Sequence, residues 1–228
     1  MRSFITVTNL GYLDYTRNVI LSLQKLEIYD LKVYCIGQKC YDDLQYENKE
    51  LLDIDAPDEL QLFRKGSWNK VVFSKFHAIH NELIKGNDVL FSDGDIVFLD
   101  SRFMRDVKNR LDDNDILFQN DKQHDSDDSE LCCGFMYIKC NDKNKTIFNP
   151  ENPDLQRDFE CDQIYLNKIK HRINYEKLPL KRYPNGGYFL GSISKGKAES
   201  MNPYMIHFNY LIGDQKKEVM KKLNYWYI

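Results

Sequence analysis

Apolar positions along the first hundred residues follow two alternating rhythms. Short runs rich in β-branched and aromatic residues, "FITVT" (4–8), "LKVYCIG" (31–37) and "DVLFS" (88–92), read as buried strands. Between the first two, Tyr12, Tyr15, Val19, Leu23 and Leu26 fall three or four residues apart, the spacing of one helix face. Val72, Phe76, Ile79 and Leu83 repeat that spacing and predict a helix over 68–84, with Gly86 as its stop. The polar stretch 41–52 reads as a further helix, and "ELQLF" (59–63) as a third strand. This β-α-β-α order predicts a parallel sheet covered by helices.

Beyond Asp100 the rhythm changes. A helix over 103–111 leads to the strand "DILFQ", and "GFMYIKC" (134–140) is a second strand. Between them "DKQHDSDDSE" (121–130) reads as a solvated acidic loop. "DKNKTIFNPENPD", with its two prolines, reads as another loop. A helix over 162–169 follows, then short strands "INYEKL" and "YFL" around the turn "YPNGG". "YMIHF" (204–208) is a late strand and "DQKKEVMKKL" a terminal helix. No repeat or linker interrupts the chain. The expectation is one α/β domain over 1–228, its C-terminal half elaborating a site.

Composition narrows the class. At 228 residues with 42% hydrophobic and 13% aromatic content, the chain suits a single folded core. A net charge of -3 argues against a general grip on nucleic acid or anionic lipid. No run approaches the roughly 20 apolar residues that span a bilayer, and "MRSFITVTNLGYLDY" lacks the pattern of a signal peptide. Six cysteines without regular spacing read as reduced thiols. A cytoplasmic location is therefore expected. The abundance of Asn and Lys points to an AT-rich genome such as that of a protist or a large virus, in the latter case with action in the host cytoplasm.

Candidate chemistry centres on "VLFSDGDIVFL", where Asp93 and Asp95 stand between two apolar runs. In extended backbone both carboxylates share one side, and Gly94 between them permits a turn or a close approach. The pair follows a strand end, where open α/β sheets bind ligands. Two neighbouring carboxylates favour a cation, and oxygen ligands suit Mg²⁺ or Mn²⁺. Two rivals stand beside this reading. Asp-Gly is a common hairpin signal, and Asp-x-Asp also resembles the nucleophile motif of haloacid-dehalogenase-type phosphatases.

Further stretches extend the pattern in order: "CCGFMYIKC", "DQIYLN", "YPNGGYF" and "MIHFNYLIGDQKKEVMKKLNYW". Together with the Asp pair they resemble the nucleotide-diphospho-sugar transferases of glycosyltransferase family 77, GT-A enzymes related to the glycogenin-like family 8. The resemblance runs from Thr6 nearly to the last residue. It implies a GT-A fold, a Rossmann-like central mixed sheet flanked by helices, with 1–100 as the nucleotide-binding half and 101–228 as the acceptor and sugar half. It also implies a metal-dependent, retaining transfer of sugar from a nucleotide-diphosphate sugar, a UDP-sugar above all, to a glycan or protein hydroxyl.

The resemblance assigns roles residue by residue. Asp93, Asp95 and His207 would hold Mn²⁺ or Mg²⁺; without it, a histidine in an apolar strand reads as core. Lys216, three residues after Gly213, would meet the β-phosphate, where residue chemistry alone leaves an ordinary surface lysine. Thr8, Asn9 and Tyr12 would cradle base and ribose, with Lys75, Ser92, Gly94 and Gly213 completing the donor contacts. Lys75 reads equally as a snorkelling surface lysine. Asp162 and Gln163 would lie beside the transferred sugar, although Asp162 also suits a helix cap. Asp162, Gln163 and Lys216 are thus the expected catalytic residues. The chain departs from the family at Cys132 and Cys133, where Asn-Ser usually precedes the glycine that is Gly134 here. That departure leaves a non-catalytic sugar-nucleotide-binding module as a further alternative. The acceptor is expected at the acidic loop and at "YPNGGY".

Overall fold

The computed structural model describes residues 1–61, 64–123, 130–155, 161–197 and 201–228. Strand β1 (Arg2–Thr8) leads through a 3-10 turn, Leu10–Tyr12, into helix α1 (Leu13–Gln24). Then come β2 (Leu31–Ile36), α2 (Gln38–Asp43), β3 (Lys49–Leu52) and α3 (Trp68–Ile84). Strands β4 (Asp88–Ser92) and β5 (Ile96–Phe98) flank the aspartate pair, and α4 (Phe103–Arg110) follows. The second half adds β6 (Ile116–Asn120), β7 (Leu131–Ile138), α5 (Asp142–Phe148), α6 (Asp162–Ile169) and β8 (Tyr175–Leu178). A 3-10 turn, Lys170–Arg172, follows α6, and helix α7 (Gly186–Ser194), β9 (Met205–His207) and α8 (Asp214–Lys222) complete the described elements.

Seven strands form one sheet in the order β3-β2-β1-β4-β7-β6-β8, and β5 pairs with β9 in a small second sheet. The parallel sheet predicted for the first half is present as β3-β2-β1-β4. Strand β7 runs antiparallel to β4 and to β6, so the whole sheet is mixed. Alternation along each strand sends neighbours to opposite faces. Phe4, Leu90, Phe135 and Tyr137 pack with α1 and α4; Ile5, Phe91, Met136 and Ile138 pack with α3, α5 and α6. The hairpin reading of Asp93-Gly94-Asp95 does not hold. Strand β4 lies between β1 and β7 in the large sheet, whereas β5 bonds only to β9.

Four further expectations are corrected. The stretch 41–52 is no single helix: α2 stops at Asp43, Lys49 Nζ donates to the carbonyls of Tyr41 and Leu44, and β3 pairs with β2. Glu59 to Gln61 is not strand, because Asn9 Nδ2 takes the carbonyls of Pro57 and Glu59 at 3.2 and 2.9 Å; residues 62–63 of "ELQLF" lie outside the described residues. The supposed loop after Asn141 begins as α5, where Asn141 accepts from Asn144 N as the N-cap. "YFL" belongs to α7, which Asn185 caps by accepting from Tyr188 N. All six cysteines are free. No described helix is long and apolar enough to cross a membrane.

Candidate active site

The turn between β4 and β5 is built from both sides. Asp93 N donates to Gly134 O at 2.7 Å, and Phe208 N donates to Asp95 O at 3.0 Å. Ile96 pairs in register with His207, which brings the histidine opposite the end of the Asp-Gly-Asp turn. Among the described residues Asp93, Asp95 and His207 offer ligand atoms that all lie within 4.8 Å of one another. A Cβ on Gly94 would meet Thr16 Oγ1 at 3.2 Å, so α1 closes tightly over the turn.

Gln119, in β6, fixes the chemistry of that histidine. Its Nε2 donates to Tyr183 O at 3.1 Å, which turns Oε1 toward His207 Nδ1 at 2.7 Å. With Oε1 as acceptor, Nδ1 carries the proton and Nε2 presents its lone pair. That Nε2 lies 3.1 Å from Asp95 Oδ1. A lone pair facing a carboxylate oxygen calls for positive charge between them, either a proton or a metal ion. Two carboxylates and one imidazole form a donor set suited to Mn²⁺, or to Mg²⁺ with added oxygen ligands. The residues present therefore fit a divalent cation.

Two buried lysines balance the acidic cluster. Lys75, from α3, lies 3.1 Å from Asp93 Oδ1 and 2.7 Å from Asp162 Oδ2, and donates to Cys133 O at 3.3 Å. It is 6% exposed, so it does not snorkel to solvent. Burial works against its charge, but Asp162 and Asp93 outweigh it and raise the ammonium above the usual lysine range. Lys216, in the first turn of α8, pairs with Asp95 Oδ2 and is likewise held protonated by that carboxylate against the effect of burial. For Asp95, burial acts to raise the carboxyl, but Lys216 and His207 overcome it and hold it well below the ordinary range. Asp93 shifts the other way, since withdrawal from water outweighs Lys75.

A cavity of about 300 Å³ opens over this cluster. Of the residues expected at the site, Thr8, Asn9, Tyr12, Lys75, Asp93, Gly94, Asp95, Asp162, Gln163, His207 and Lys216 all line it. Ser92 is fully buried beneath, with its hydroxyl donating to Asp93 O. Gly213 lines a neighbouring cavity of about 660 Å³, which shares Tyr12, Gln61 and Lys216 with the first. Asn9 uses its amide protons on the 57–59 segment, while its Oδ1 accepts from Tyr12 N at 3.1 Å.

Sequence reasoning gave no individual role to Gln119, to Asp121, which opens the acidic loop, or to Asn209, which lies in the quoted C-terminal stretch. Asp121 accepts from Gln163 Nε2 at 2.8 Å and from Asn209 Nδ2 at 3.3 Å. Asn209 Oδ1 in turn accepts from Gly186 N at 2.8 Å. A polar residue ending an otherwise apolar strand, as in "ILFQN", was the available signal for Gln119. The two segments expected near the acceptor do meet, because Asn185 Nδ2 donates to the carbonyls of Asn120 and Lys122; residues 124–129 of the acidic loop lie outside the described residues.

Known proteins resemble the chain in sequence and in fold. The UDP-galactose:fucoside alpha-3-galactosyltransferase of Dictyostelium discoideum is 26% identical over 280 residues; the match takes in 98% of this chain and 43% of that protein. The chain thus spans less than half the length of that relative. The glycosyltransferase GlyE of Streptococcus pneumoniae superposes with a TM-score of 0.58 at 17% identity, over 94% of this chain and 55% of GlyE. The galactosyltransferase LgtC, solved with donor and acceptor sugar analogs, gives 0.59 at 12% identity, over 90% and 86% of the two chains. These likenesses identify the mixed sheet and its helices as a GT-A fold. The family model for nucleotide-diphospho-sugar transferases matches residues 32–220, and the chain belongs to that family.

Proposed function

We propose that the chain transfers a sugar from a nucleotide-diphosphate sugar to a hydroxyl of a glycan or protein, with retention at the anomeric carbon. A UDP-sugar is the favoured donor, in keeping with the name of the Dictyostelium relative. The observation that carries the reading is His207 Nε2 turned toward Asp95 by Gln119, beside Asp93 and beneath a cavity that holds two buried lysines. Asp93, Asp95 and His207 would hold Mn²⁺ or Mg²⁺, which when bound supplies Lewis-acid neutralisation of the diphosphate.

The chain's own residues do the remaining work. Lys216 reaches the cavity as a compact cation and stabilises charge growing on the leaving β-phosphate. Thr8, Asn9 and Tyr12 line the end of the cavity at the first β-to-α turn and receive the nucleoside. Asp162 is placed by Lys75 to accept a sugar hydroxyl, and Gln163 stands beside it. In the reaction the bond from the anomeric carbon to the phosphate oxygen breaks and the acceptor oxygen bonds to that carbon. The acceptor's proton passes to the leaving phosphate oxygen. The phosphatase alternative needs Asp93 as the nucleophile on a phosphoester; the family membership speaks against it.

The test is a panel of UDP- and GDP-sugars with Mn²⁺. A donor is expected to raise the melting temperature, as ligands that bind only the native state do, and to release nucleoside diphosphate with an acceptor or water. Stabilisation without any release would make the chain a binding module, and phosphate release from simple phosphoesters would revive the phosphatase.

A further inference from the structure

On the Gln163 and Asn209 side of the cavity stands a residue of the quoted C-terminal stretch to which neither the resemblance nor the donor chemistry gives a role. Tyr210 has φ of 67°, a left-handed value that a bulky aromatic residue adopts only when its surroundings impose it. The residue is 53% exposed, yet it is tethered, since its hydroxyl donates to the backbone carbonyl of Asp121. The carboxylate of that same Asp121 takes the amides of Gln163 and Asn209, both of which line the cavity. A fixed aromatic ring and a polar cluster therefore sit side by side, joined through one residue.

An aromatic ring held in water at a strained position does not serve the core, where burial would gain apolar stabilisation. Its face is flat and apolar, and the neighbouring groups offer hydrogen bonds. A pyranose carries the complementary pattern, with C–H groups on one face and hydroxyls around its edge. A peptide held in extended form would instead need an open strand edge. The preceding strand, β9, is engaged on both sides: it pairs with β5, and His207 bridges to Asn185.

Resting on the glycosyl-transfer reading, we infer that Tyr210 is the platform of an acceptor subsite for a saccharide. The sugar ring stacks on Tyr210 and turns a hydroxyl toward the Asp121, Gln163 and Asn209 cluster at the cavity. The acceptor class is a glycan or glycoside rather than a peptide side chain.

The probes are methyl monosaccharides and disaccharides and, in parallel, serine- and threonine-containing peptides. Each is titrated against the full chain with and without UDP and Mn²⁺, with binding read by saturation-transfer NMR. Glycosides are expected to bind and peptides not. Tyr210→Asn suits the left-handed backbone but removes the ring, and is expected to weaken glycoside binding by about tenfold. Tyr210→Trp is expected to retain it. Binding of peptides alone, of no saccharide, or of saccharides equally well to Tyr210→Asn would overturn the inference. Tyr210-dependent glycoside binding without nucleoside diphosphate release from any nucleotide sugar would uphold the saccharide site on Tyr210 while sinking the transfer reading and, with it, the acceptor role.

Discussion

Gly134 lies directly against the imidazole of His207, although one belongs to the centre of the main sheet and the other to the small second sheet. A Cβ at position 134 would overlap the ring and come within 2.9 Å of Asp93 Oδ2. The glycine thus makes room for the histidine that faces the aspartate pair. Gly134→Ala is expected to displace the ring, to lower stability by about 1–3 kcal/mol as overpacking does, and to weaken Mn²⁺ binding by about tenfold or more. Calorimetric titration with Mn²⁺ checks this; an alanine variant with unchanged affinity would remove His207 from the metal site.

Asp95 and Lys216 form an ion pair whose two side chains are both nearly buried. Removing one partner of such a pair strands a charge, at a cost of about 3–5 kcal/mol, whereas removing both is far milder. Asp95→Asn is therefore expected to destabilise the metal-free chain strongly, and Asp95→Asn/Lys216→Met to recover most of the loss. Urea unfolding of the two single variants and the double gives the coupling. Additive single effects would show that the pair is not coupled in solution.

At the far end of the sheet Glu82 is a separate charged hub. It accepts from Ser3, Tyr34, Lys32, Lys85 and Asn87. Burial acts to raise its carboxyl, but these hydrogen bonds outweigh it and hold it well below the usual value of 4.5. A group depressed in the folded state contributes stability in full above its unfolded value, and that contribution is lost as pH falls below it. Glu82→Gln is expected to flatten the decline of melting temperature below about pH 4.5. An acid limb as steep as that of the wild type would show that other carboxylates carry it.

Periodicity made β1, α1, α3, α6 and α8 legible, because each buries one regular stripe or alternates cleanly between two faces. Helices α5 and α7 were hidden for a common reason. Their starts are rich in Asn, Gly or Pro, which read as turns, yet Asn141 and Asn185 are N-caps whose side chains begin a helix. At the site, the residues that the resemblance named, Ser92 and Gly213 apart, line one cavity, since the resemblance carries their order. Gln119, Asp121 and Gly134 were not assigned roles, because each works on a partner far along the chain: His207 for Gln119 and Gly134, Gln163 and Asn209 for Asp121. No local spacing encodes such contacts.

Asn9 separates two ways of serving a nucleotide. Its Oδ1 caps the 3-10 turn at Tyr12, and its Nδ2 holds the carbonyls of Pro57 and Glu59. Asp58 adds a bond from Leu10 N at 2.9 Å, and a Cβ on Gly11 would overlap the backbone of Leu60, so segment 57–60 is stapled over the first β-to-α turn. Asn9→Ala is expected to lose both functions, costing about 1 kcal/mol for the cap, to speed hydrogen exchange across 57–61, and to weaken UDP binding. Asn9→Asp keeps the cap acceptor but sets a carboxylate against two carbonyls. If the staple shapes the nucleotide cradle, the aspartate variant will bind UDP as poorly as the alanine one. If it binds like the wild type, the cap alone matters and the segment 57–61 has no part in holding the nucleotide.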